Sequence, residues 1–230
     1  NYRDILAEIG LKDSDLFSDE KPRSTWREKI EGYIKKPIEA VYDYKDATGK
    51  YLYSKIRFVG KHIKYAVVDH KADRYKLGKP EGSYTLYNLP AALKAIKKGV
   101  PVYITEGEKD VNTLKDLKYT AVTAGGVSDW RSEFAHYFTG ARVIILPDND
   151  TPGLDLKDKI IKDLKPFAHS IKWVITSKAE HGDVTDYLEK EGHSKEDLQK
   201  LIDEVSAVAA PWIQITERKD GSQKQSINPG

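Results

Sequence analysis

Acidic residues follow apolar runs at three places in the second half of the chain. The segment PDND (147–150) comes directly after VIIL, and EGEKD (106–110) comes directly after VYIT. A third segment, GDVTD (182–186), lies a short loop beyond WVIT. Carboxylates that are brought together repel one another, and a hard divalent cation relieves this repulsion. Clustered in this way, they would suit phosphoryl transfer assisted by Mg²⁺ or Mn²⁺.

Each segment also has an ordinary explanation when it is taken alone. PDND is commonly a turn with solvated carboxylates. EGEKD is typical of a helix N-terminus, where acids are favoured by the helix dipole. The pair Gly125-Gly126 is by itself only a tight turn, and His181 is typical of a surface loop. The order in which these segments follow successive apolar runs is what favours a shared site.

The surrounding pattern alternates strands with helices. Strands are predicted at 100–105, 120–126, 141–150 and 170–176, and helices at 111–117, 131–138, 151–164 and 194–208. This alternation predicts a parallel sheet that is covered by helices on both faces. Because the carboxyl ends of parallel strands meet at one edge, the acids should converge there. The candidate metal ligands at this edge are Glu106, Asp110, Asp148, Asp150 and Asp183.

The first half of the chain has a different pattern. Residues 1–36 are predicted to form short helices, the second capped by Ser24 or Thr25 and ended by Pro37. Residues 38–87 show partial alternation and many aromatic residues, which predicts strands with a turn at 46–49. Residues 89–99 form a short predicted helix that Gly99 closes.

The net charge is only +2, but basic and acidic residues are distributed unevenly along the chain. Residues 45–98 contain 13 Lys/Arg against 4 Asp/Glu, whereas residues 99–210 contain 14 against 20. A basic half joined to an acidic half suits a protein that holds a polyanion on one side and cations on the other. Two ordinary solvated surfaces explain the same numbers, so both interpretations stay open at this point.

Composition excludes several classes of protein. The absence of cysteine rules out disulfides and thiolate zinc sites, and it is compatible with a cytoplasmic location. No apolar run approaches the ~20 residues that span a bilayer, and no signal peptide is recognisable, so we expect no membrane partner. The sequence also lacks methionine, which indicates a processed chain or a piece of a longer one.

The acidic segments resemble a known family when they are taken in order. YITEGEKDVNTL, then AGG, then VIILPDNDTPG are similar to the TOPRIM domain of bacterial-type (DnaG-type) primases, topoisomerases and some nucleases. The form is close to that of phage and plasmid primases and primase-helicases, and GDVTDYL resembles their closing acidic segment. The resemblance is specific over about 102–190 and weaker over about 38–100. Because the sequence contains no cysteine, it departs from such primases in having no ligands for their usual zinc ribbon.

The resemblance implies roles for the acids. Glu106 matches the TOPRIM glutamate, a general base or metal ligand, and Asp148 and Asp150 match the metal-binding pair. These three are the candidate catalytic residues. Asp110 fits the acid that ends the EGxxD element. The metal set, for Mg²⁺ or Mn²⁺, is completed by Asp183 and Asp186 as an extra acidic pair.

The resemblance also implies partners. Single-stranded DNA would be the template, nucleoside triphosphates the substrates, and a helicase a neighbouring domain or protein. The candidate contacts to nucleic acid or nucleotide are Arg57, Arg74, Lys76, Lys109, Gly125 and Gly126. For the arginines and lysines, ordinary surface positions on strands remain the alternative.

The sequence therefore predicts an α/β protein with a C-terminal TOPRIM domain, preceded by a smaller basic α+β subdomain. The expected divisions are 1–99, 100–191, a C-terminal helix at 192–210 and a linker at 211–230 that leads to another domain. The predicted function is that of a primase catalytic core that makes short RNA primers on single-stranded DNA. A TOPRIM-type nuclease and a non-catalytic DNA-binding module of a helicase are the alternatives.

Overall fold

Two four-stranded sheets organise the described part of the chain. The computed structural model describes Glu8, residues 24–208, and the backbone of residues 212–217 and 223–228. The first sheet is an antiparallel meander of β1 (Ile38–Lys45), β2 (Tyr51–Phe58), β3 (His62–Asp69) and β4 (Arg74–Leu77). Apart from Glu8, the first of the short helices predicted in residues 1–36 lies outside the described residues.

One helix covers the outer face of the antiparallel sheet. Helix α1 (Trp26–Ile34) begins at Thr25, whose hydroxyl accepts from the Glu28 amide, while the Glu28 carboxylate accepts from the Thr25 amide. This reciprocal cap confirms the predicted start. Trp26 and Ile30 pack against Ile56, Phe58, Ala66 and Val68 of the sheet.

The inner face of this sheet is rich in tyrosine and basic residues. The register pairs Tyr42 with Lys55, Tyr44 with Tyr53, and Lys55 with Tyr65. Directly paired residues lie on the same face of an antiparallel sheet. Tyr42, Tyr44 and Tyr53 are buried on this face. We call this side the tyrosine face.

A short helix connects the two sheets. Helix α2 (Leu89–Lys97) is followed by Gly99 with φ +66°, which confirms the predicted closing glycine. Leu89, Ala92 and Ala95 are buried on the second sheet.

The second sheet is parallel, as predicted. Its strands are β5 (Val102–Thr105), β6 (Ala121–Val122), β7 (Arg142–Leu146) and β8 (Ser170–Trp173), in the spatial order β6-β5-β7-β8. Helix α3 (Glu108–Asp116) follows β5, a 3₁₀ helix (Ser132–Phe138) precedes β7, and α4 (Thr151–Leu164) follows it. A π-helical turn (Asp186–Lys190) and α5 (Lys195–Asp203) come after β8.

Buried apolar residues cover both faces of the parallel sheet, because its strands are apolar at successive positions. On one face, Ile104 and Ile145 pack with Phe138, Leu156 and Ile160. On the other face, another set packs together: Tyr103, Val111, Leu114, Ile144, Leu146, Leu198 and Ile202. The two-sided covering agrees with the sequence prediction.

Several elements are shorter than predicted. The strand expected at 120–126 pairs only at Ala121 and Val122, because the Thr123 carbonyl accepts from the Tyr87 amide and the chain then turns at Gly125 with φ +102°. The strand expected at 170–176 ends at Trp173. The predicted helix 131–138 is a 3₁₀ helix.

The predicted helix 194–208 ends at Asp203. Its start is confirmed, since Ser194 and Asp197 form a capping box. Beyond it the backbone returns to the parallel sheet, where the Val208 amide donates to the Ile171 carbonyl at 2.7 Å. Val208 thus occupies the open edge of β8 instead of extending α5.

The expected linker at 211–230 contains strands. Strands β9 (Trp212–Glu217) and β10 (Gln223–Asn228) pair antiparallel, so the segment is not a plain coil over these residues. The sequence is consistent with this pairing, because apolar and polar residues largely alternate in WIQITE and a Lys-Asp-Gly turn follows it. That this segment leads to another domain stays a prediction.

No helix in the described part of the chain combines the length and apolar character needed to cross a lipid bilayer.

Candidate active site

The principal acids lie beyond two neighbouring strands. β5 and β7 pair in parallel register, with Thr105 beside Leu146. Glu106 follows directly at the end of β5, and Asp148 follows β7 after Pro147. The parallel topology therefore places both carboxylates at the same edge of the sheet.

Burial and mutual repulsion perturb these two acids. Burial, followed by the negative charges of Asp150 and Asp183, raises the pKa of Glu106. Burial raises the pKa of Asp148 to about 8, with a further contribution from Glu106 as the largest charge effect. The charges of Asp110, Asp183 and Asp150 act on Asp148 in the same direction. The acids therefore form one interacting group, as the sequence predicted.

Asp110 belongs to this group but is held by protein partners. It lies in the first turn of α3 and is buried. The Thr185 hydroxyl donates to Asp110 Oδ1 at 2.6 Å. Burial raises the pKa of Asp110 to about 6, with Asp183 adding to the shift and the Thr185 hydrogen bond opposing it. Asp110 thus links α3 to the loop that carries Asp183.

Asp150 is the N-cap of helix α4. Its Oδ1 accepts from the Gly153 amide at 2.8 Å, and its Oδ2 lies 2.9 Å from His181 Nδ1. The hydrogen bond with His181 and that with Gly153 lower the pKa of Asp150. Both oxygens are therefore engaged, in contrast to those of Asp148.

The third acidic segment divides into two parts. Asp183 Oδ1 accepts from the Asp186 amide at 2.6 Å, and its charge acts on Glu106, Asp110 and Asp148. Asp186 is instead paired with Lys190, whose Nζ lies 2.7 Å from its Oδ1. The structure thus brings Asp183 into the acidic group and leaves Asp186 at its margin.

The donor set suits a cation held by few protein ligands. Among the described residues, Glu106 Oε2 is buried without a hydrogen-bond partner, and none donates a hydrogen bond to the Asp148 carboxylate. Among those residues, no three His, Asp or Glu side chains are arranged to enclose an ion. The reason is that Asp110, Asp150 and Asp183 are turned toward protein donors. Two carboxylates completed by water and phosphate oxygens match the way Mg²⁺ is usually bound.

The two glycines lie beside this edge in a tight loop. A Cβ at Gly125 would lie 2.4 Å from Tyr44 Oη and 3.1 Å from Glu108 Oε1. A Cβ at Gly126 would approach Asp129 Oδ2 at 3.4 Å, an ordinary contact. Gly125 is therefore needed for close packing against the tyrosine face, whatever it binds. The third nucleotide candidate, Lys109, is exposed and pairs with Glu189 at 3.3 Å.

The basic candidates share the tyrosine face by register. Arg57 lies two positions beyond Lys55, while Lys76 pairs with Val67 and Arg74 with Asp69. Arg74 and Lys76 are exposed on the edge strand β4. Arg57 is half-buried, and its Nε lies 3.3 Å from Glu39 Oε2. The three side chains therefore lie along one side of the sheet.

Sequence reasoning missed several residues of this site. Lys55 and Glu108 form a buried ion pair with a shortest Nζ–O distance of 2.8 Å. Lys79 Nζ lies 4.0 Å from the ring centroid of Tyr65. Nothing in the sequence distinguishes these two lysines from the other basic residues of 45–98, because charged residues are normally solvated. Their placement depends on contacts between segments far apart in sequence.

Comparison with solved structures identifies the fold. A DnaG primase catalytic domain bound to single-stranded DNA gives a TM-score of 0.55 at 20% identity, covering 74% of this chain and 52% of that one. The zinc-binding and RNA polymerase domains of the Aquifex aeolicus primase give 0.51 at 20% identity, covering 73% and 40%. The RNA polymerase domain of Mycobacterium tuberculosis primase DnaG gives 0.51 at 17%, covering 72% and 55%.

The chain thus has the fold of DnaG-type primase catalytic cores, and it spans about half the length of the solved structures it matches. No protein-family model matches the chain, and no curated protein sequence matches it. The identities are low enough that the likeness concerns the fold.

Proposed function

We propose that this chain is the catalytic core of a primase with a TOPRIM-type acidic site, which joins nucleotides into short RNA primers on single-stranded DNA. The observation that carries the proposal is the interaction of Glu106 with Asp148 at the edge of a parallel sheet in a primase-core fold. Such a group of like charges is unfavourable unless a cation neutralises it.

The reaction would be attack of a primer 3′-hydroxyl on the α-phosphate of a nucleoside triphosphate. A new phosphorus–oxygen bond forms, the bond to the β-phosphate breaks, and pyrophosphate leaves. Asp148 and Glu106 would hold Mg²⁺ or Mn²⁺, with Asp150 able to join after releasing His181. When bound, the cation neutralises phosphate charge and activates the attacking oxygen.

The protein's own contribution would be positioning. Asp110 and Thr185 fix the loop of Asp183 against α3, and Asp150 fixes the start of α4 next to Asp148. Arg57, Arg74 and Lys76 would contact backbone phosphates of the template, as a basic track does in proteins that bind single strands. Lys109, Gly125 and Gly126 remain candidates for contacts with the nucleotide. The metal role of Asp186 stays a prediction, and so do a helicase partner and a cytoplasmic location.

Primer synthesis tests the proposal directly. The protein is incubated with single-stranded DNA of varied sequence, labelled ribonucleotides and Mn²⁺ or Mg²⁺, and the products are separated by size. We expect short labelled products with the wild type and at least about 100-fold less with Asp148→Ala. Lys172→Met, at the far edge of the parallel sheet, is the matched control and should retain wild-type synthesis.

Two outcomes would overturn the proposal. Shortened DNA that depends on Asp148 would assign the same acids to a TOPRIM-type nuclease. DNA binding without product on any template, with either metal, would leave a non-catalytic DNA-binding module. The nuclease outcome is tested in the same reaction by labelling the DNA in place of the ribonucleotides.

A further inference from the structure

A buried ion pair joins the tyrosine face to the helix that follows Glu106. Lys55 Nζ lies 2.8 Å from Glu108 Oε1 and donates to Oε2 at 3.0 Å. Tyr44 Oη donates to the same Oε1 at 2.5 Å. The side chains of Lys55 and Glu108 are each only 6% exposed. Burial and the charge of Glu108 raise the pKa of Tyr44, so its hydroxyl stays a neutral donor to the carboxylate.

The same network extends to the glycine loop and to the backbone of Glu106. Lys55 Nζ also donates to the Gly125 carbonyl at 2.5 Å. The Gly125 amide donates to Thr123 Oγ1 at 2.9 Å, and Thr123 Oγ1 donates to the Glu106 carbonyl at 2.6 Å. The backbone of Gly125 connects these bonds, so a continuous path of contacts runs from strand β2 to Glu106.

Glu106 is therefore held from two directions. Thr123 fixes its carbonyl, and the ion pair fixes Glu108 two residues later at the first position of α3. Only Gly107 separates the two points. The position of the Glu106 carboxylate thus depends on the antiparallel sheet as well as on the strand from which it emerges.

Stability alone does not account for a buried ion pair at this place. Removing two charges from water is costly, and well-packed apolar residues often replace such pairs without loss of stability. A pair with its hydrogen bonds satisfied does, however, fix the relative orientation of the elements it joins. Here those elements are the antiparallel sheet and the edge of the parallel sheet that carries the acids. The antiparallel sheet carries Arg57, Arg74 and Lys76, which we call the basic track.

We propose that Lys55 and Glu108 are positioning residues that hold Glu106 and the Gly125 loop in register with the basic track. Lys55 and Arg57 are two positions apart on β2, about 7 Å along the strand. Strand β2 would thus set the distance between the template phosphates and the acidic edge, because it carries both Arg57 of the track and Lys55 of the ion pair. The reaction served is the proposed nucleotidyl transfer, so the proposal rests on that function.

The test uses the full chain with the double variant Lys55→Met/Glu108→Gln, which removes both charges at nearly constant volume. Hydrogen–deuterium exchange is followed in peptides covering residues 105–110 and 122–127, and primer synthesis and DNA binding are measured in parallel. Lys172→Met is the control, since Lys172 is a half-buried lysine on β8, at the far edge of the parallel sheet, that donates to the backbone carbonyl of Ile202.

We expect exchange in both peptides to rise at least about tenfold and kcat to fall at least about tenfold in the double variant. Kd for single-stranded DNA should stay within about twofold, because Lys55 is buried and has no free surface for the template to contact. A residue that only stabilised the fold would lower the melting temperature and leave kcat unchanged well below it. The Lys172→Met control should leave exchange in both peptides and kcat at wild-type values.

Wild-type exchange and kcat in the double variant would overturn the proposal. If that variant does not fold, Glu108→Asp serves, because it keeps the charge opposite Lys55 and shortens the carboxylate side chain by one methylene; a wild-type result there would be equally decisive. Absence of primers from the wild type would instead count against the proposed function. The exchange measurement would still report whether the pair holds Glu106.

Discussion

Nδ1 of His181 lies 2.9 Å from Oδ2 of Asp150, the same carboxylate that caps helix α4 through its other oxygen. The imidazole of His181 therefore competes with a cation for the Oδ2 atom of Asp150. His181 is exposed and has φ +56° in the loop between β8 and the π-helical turn. The contact links the two loops that carry Asp150 and Asp183.

We predict that His181→Ala tightens Mn²⁺ binding by a few fold, because the competing hydrogen bond to Asp150 is lost. The contact with Asp150 raises the pKa of His181, so the imidazolium competes most strongly at low pH. The gain in affinity should therefore be larger at pH 6 than at pH 8. Titration calorimetry with Mn²⁺ at both values checks this; weaker binding in the variant would contradict it.

The raised pKa of Asp148 predicts that the metal-free protein loses stability as pH rises. Between its ordinary value of 3.8 and about 8, the folded state keeps a proton on Asp148 that the unfolded chain releases. The free energy of unfolding therefore falls through this range and levels off above it. Thermal unfolding in the presence of a chelator should show this decline.

Asp148→Asn should remove much of that decline. At pH 8 we expect the variant to be more stable than the wild type by at least about 1 kcal/mol, or about 2–4 °C for a protein of this size. The same variant should lose primer synthesis. Asp155→Asn, at an exposed position of helix α4, is the control, and equal gains in both variants would argue against repulsion at the acidic edge.

Gly125→Ala should be more destabilising than Gly192→Ala. Both glycines have positive φ, +102° and +77°, so both substitutions strain the backbone. Only at Gly125 does the added Cβ meet neighbours, with Tyr44 Oη at 2.4 Å, whereas the space around Gly192 is open. We expect a difference of about 2 kcal/mol from overpacking, measured by denaturant unfolding. Equal losses would show that the tyrosine face does not press on this loop.

Arg74→Ala and Lys76→Ala should each weaken binding to single-stranded DNA by a few fold. If each side chain contacts one phosphate, each substitution should also lower the dependence of log K on log salt by about 0.7. Lys64→Ala is the matched control, because Lys64 pairs with Ile56 on the opposite face of the same sheet. Fluorescence anisotropy over a range of salt checks the prediction, and an equal loss with Lys64→Ala would contradict a track on the tyrosine face.

Local patterns were enough to predict much of the architecture. Apolar runs marked the strands of the parallel sheet, and side-chain capping at Thr25 and Ser194 marked two helix starts, because these signals are encoded within a few residues. The convergence of Glu106 and Asp148 followed from parallel topology alone. Sequence could therefore place the acids at one edge, although not the hydrogen bonds that turn Asp110 and Asp150 toward the protein.

The features that sequence missed depend on long-range contacts. Lys55 and Glu108 are 53 positions apart, and nothing in either segment indicates that the two charges are buried together. The early end of α5 likewise depends on an edge of β8 that Val208 can fill. Such outcomes are decided by tertiary packing, which overrides local preference.

In the proposed site, Glu106 and Asp148 share a divalent cation. The most direct measurement is anomalous diffraction from crystals of the protein soaked in Mn²⁺ and a nucleoside triphosphate at pH 8. We expect an anomalous peak between the carboxylates of Glu106 and Asp148, next to the triphosphate, and its loss in Asp148→Ala. A triphosphate bound with no Mn²⁺ at this edge, or a peak that persists unchanged in the variant, would show that the two carboxylates do not share a cation.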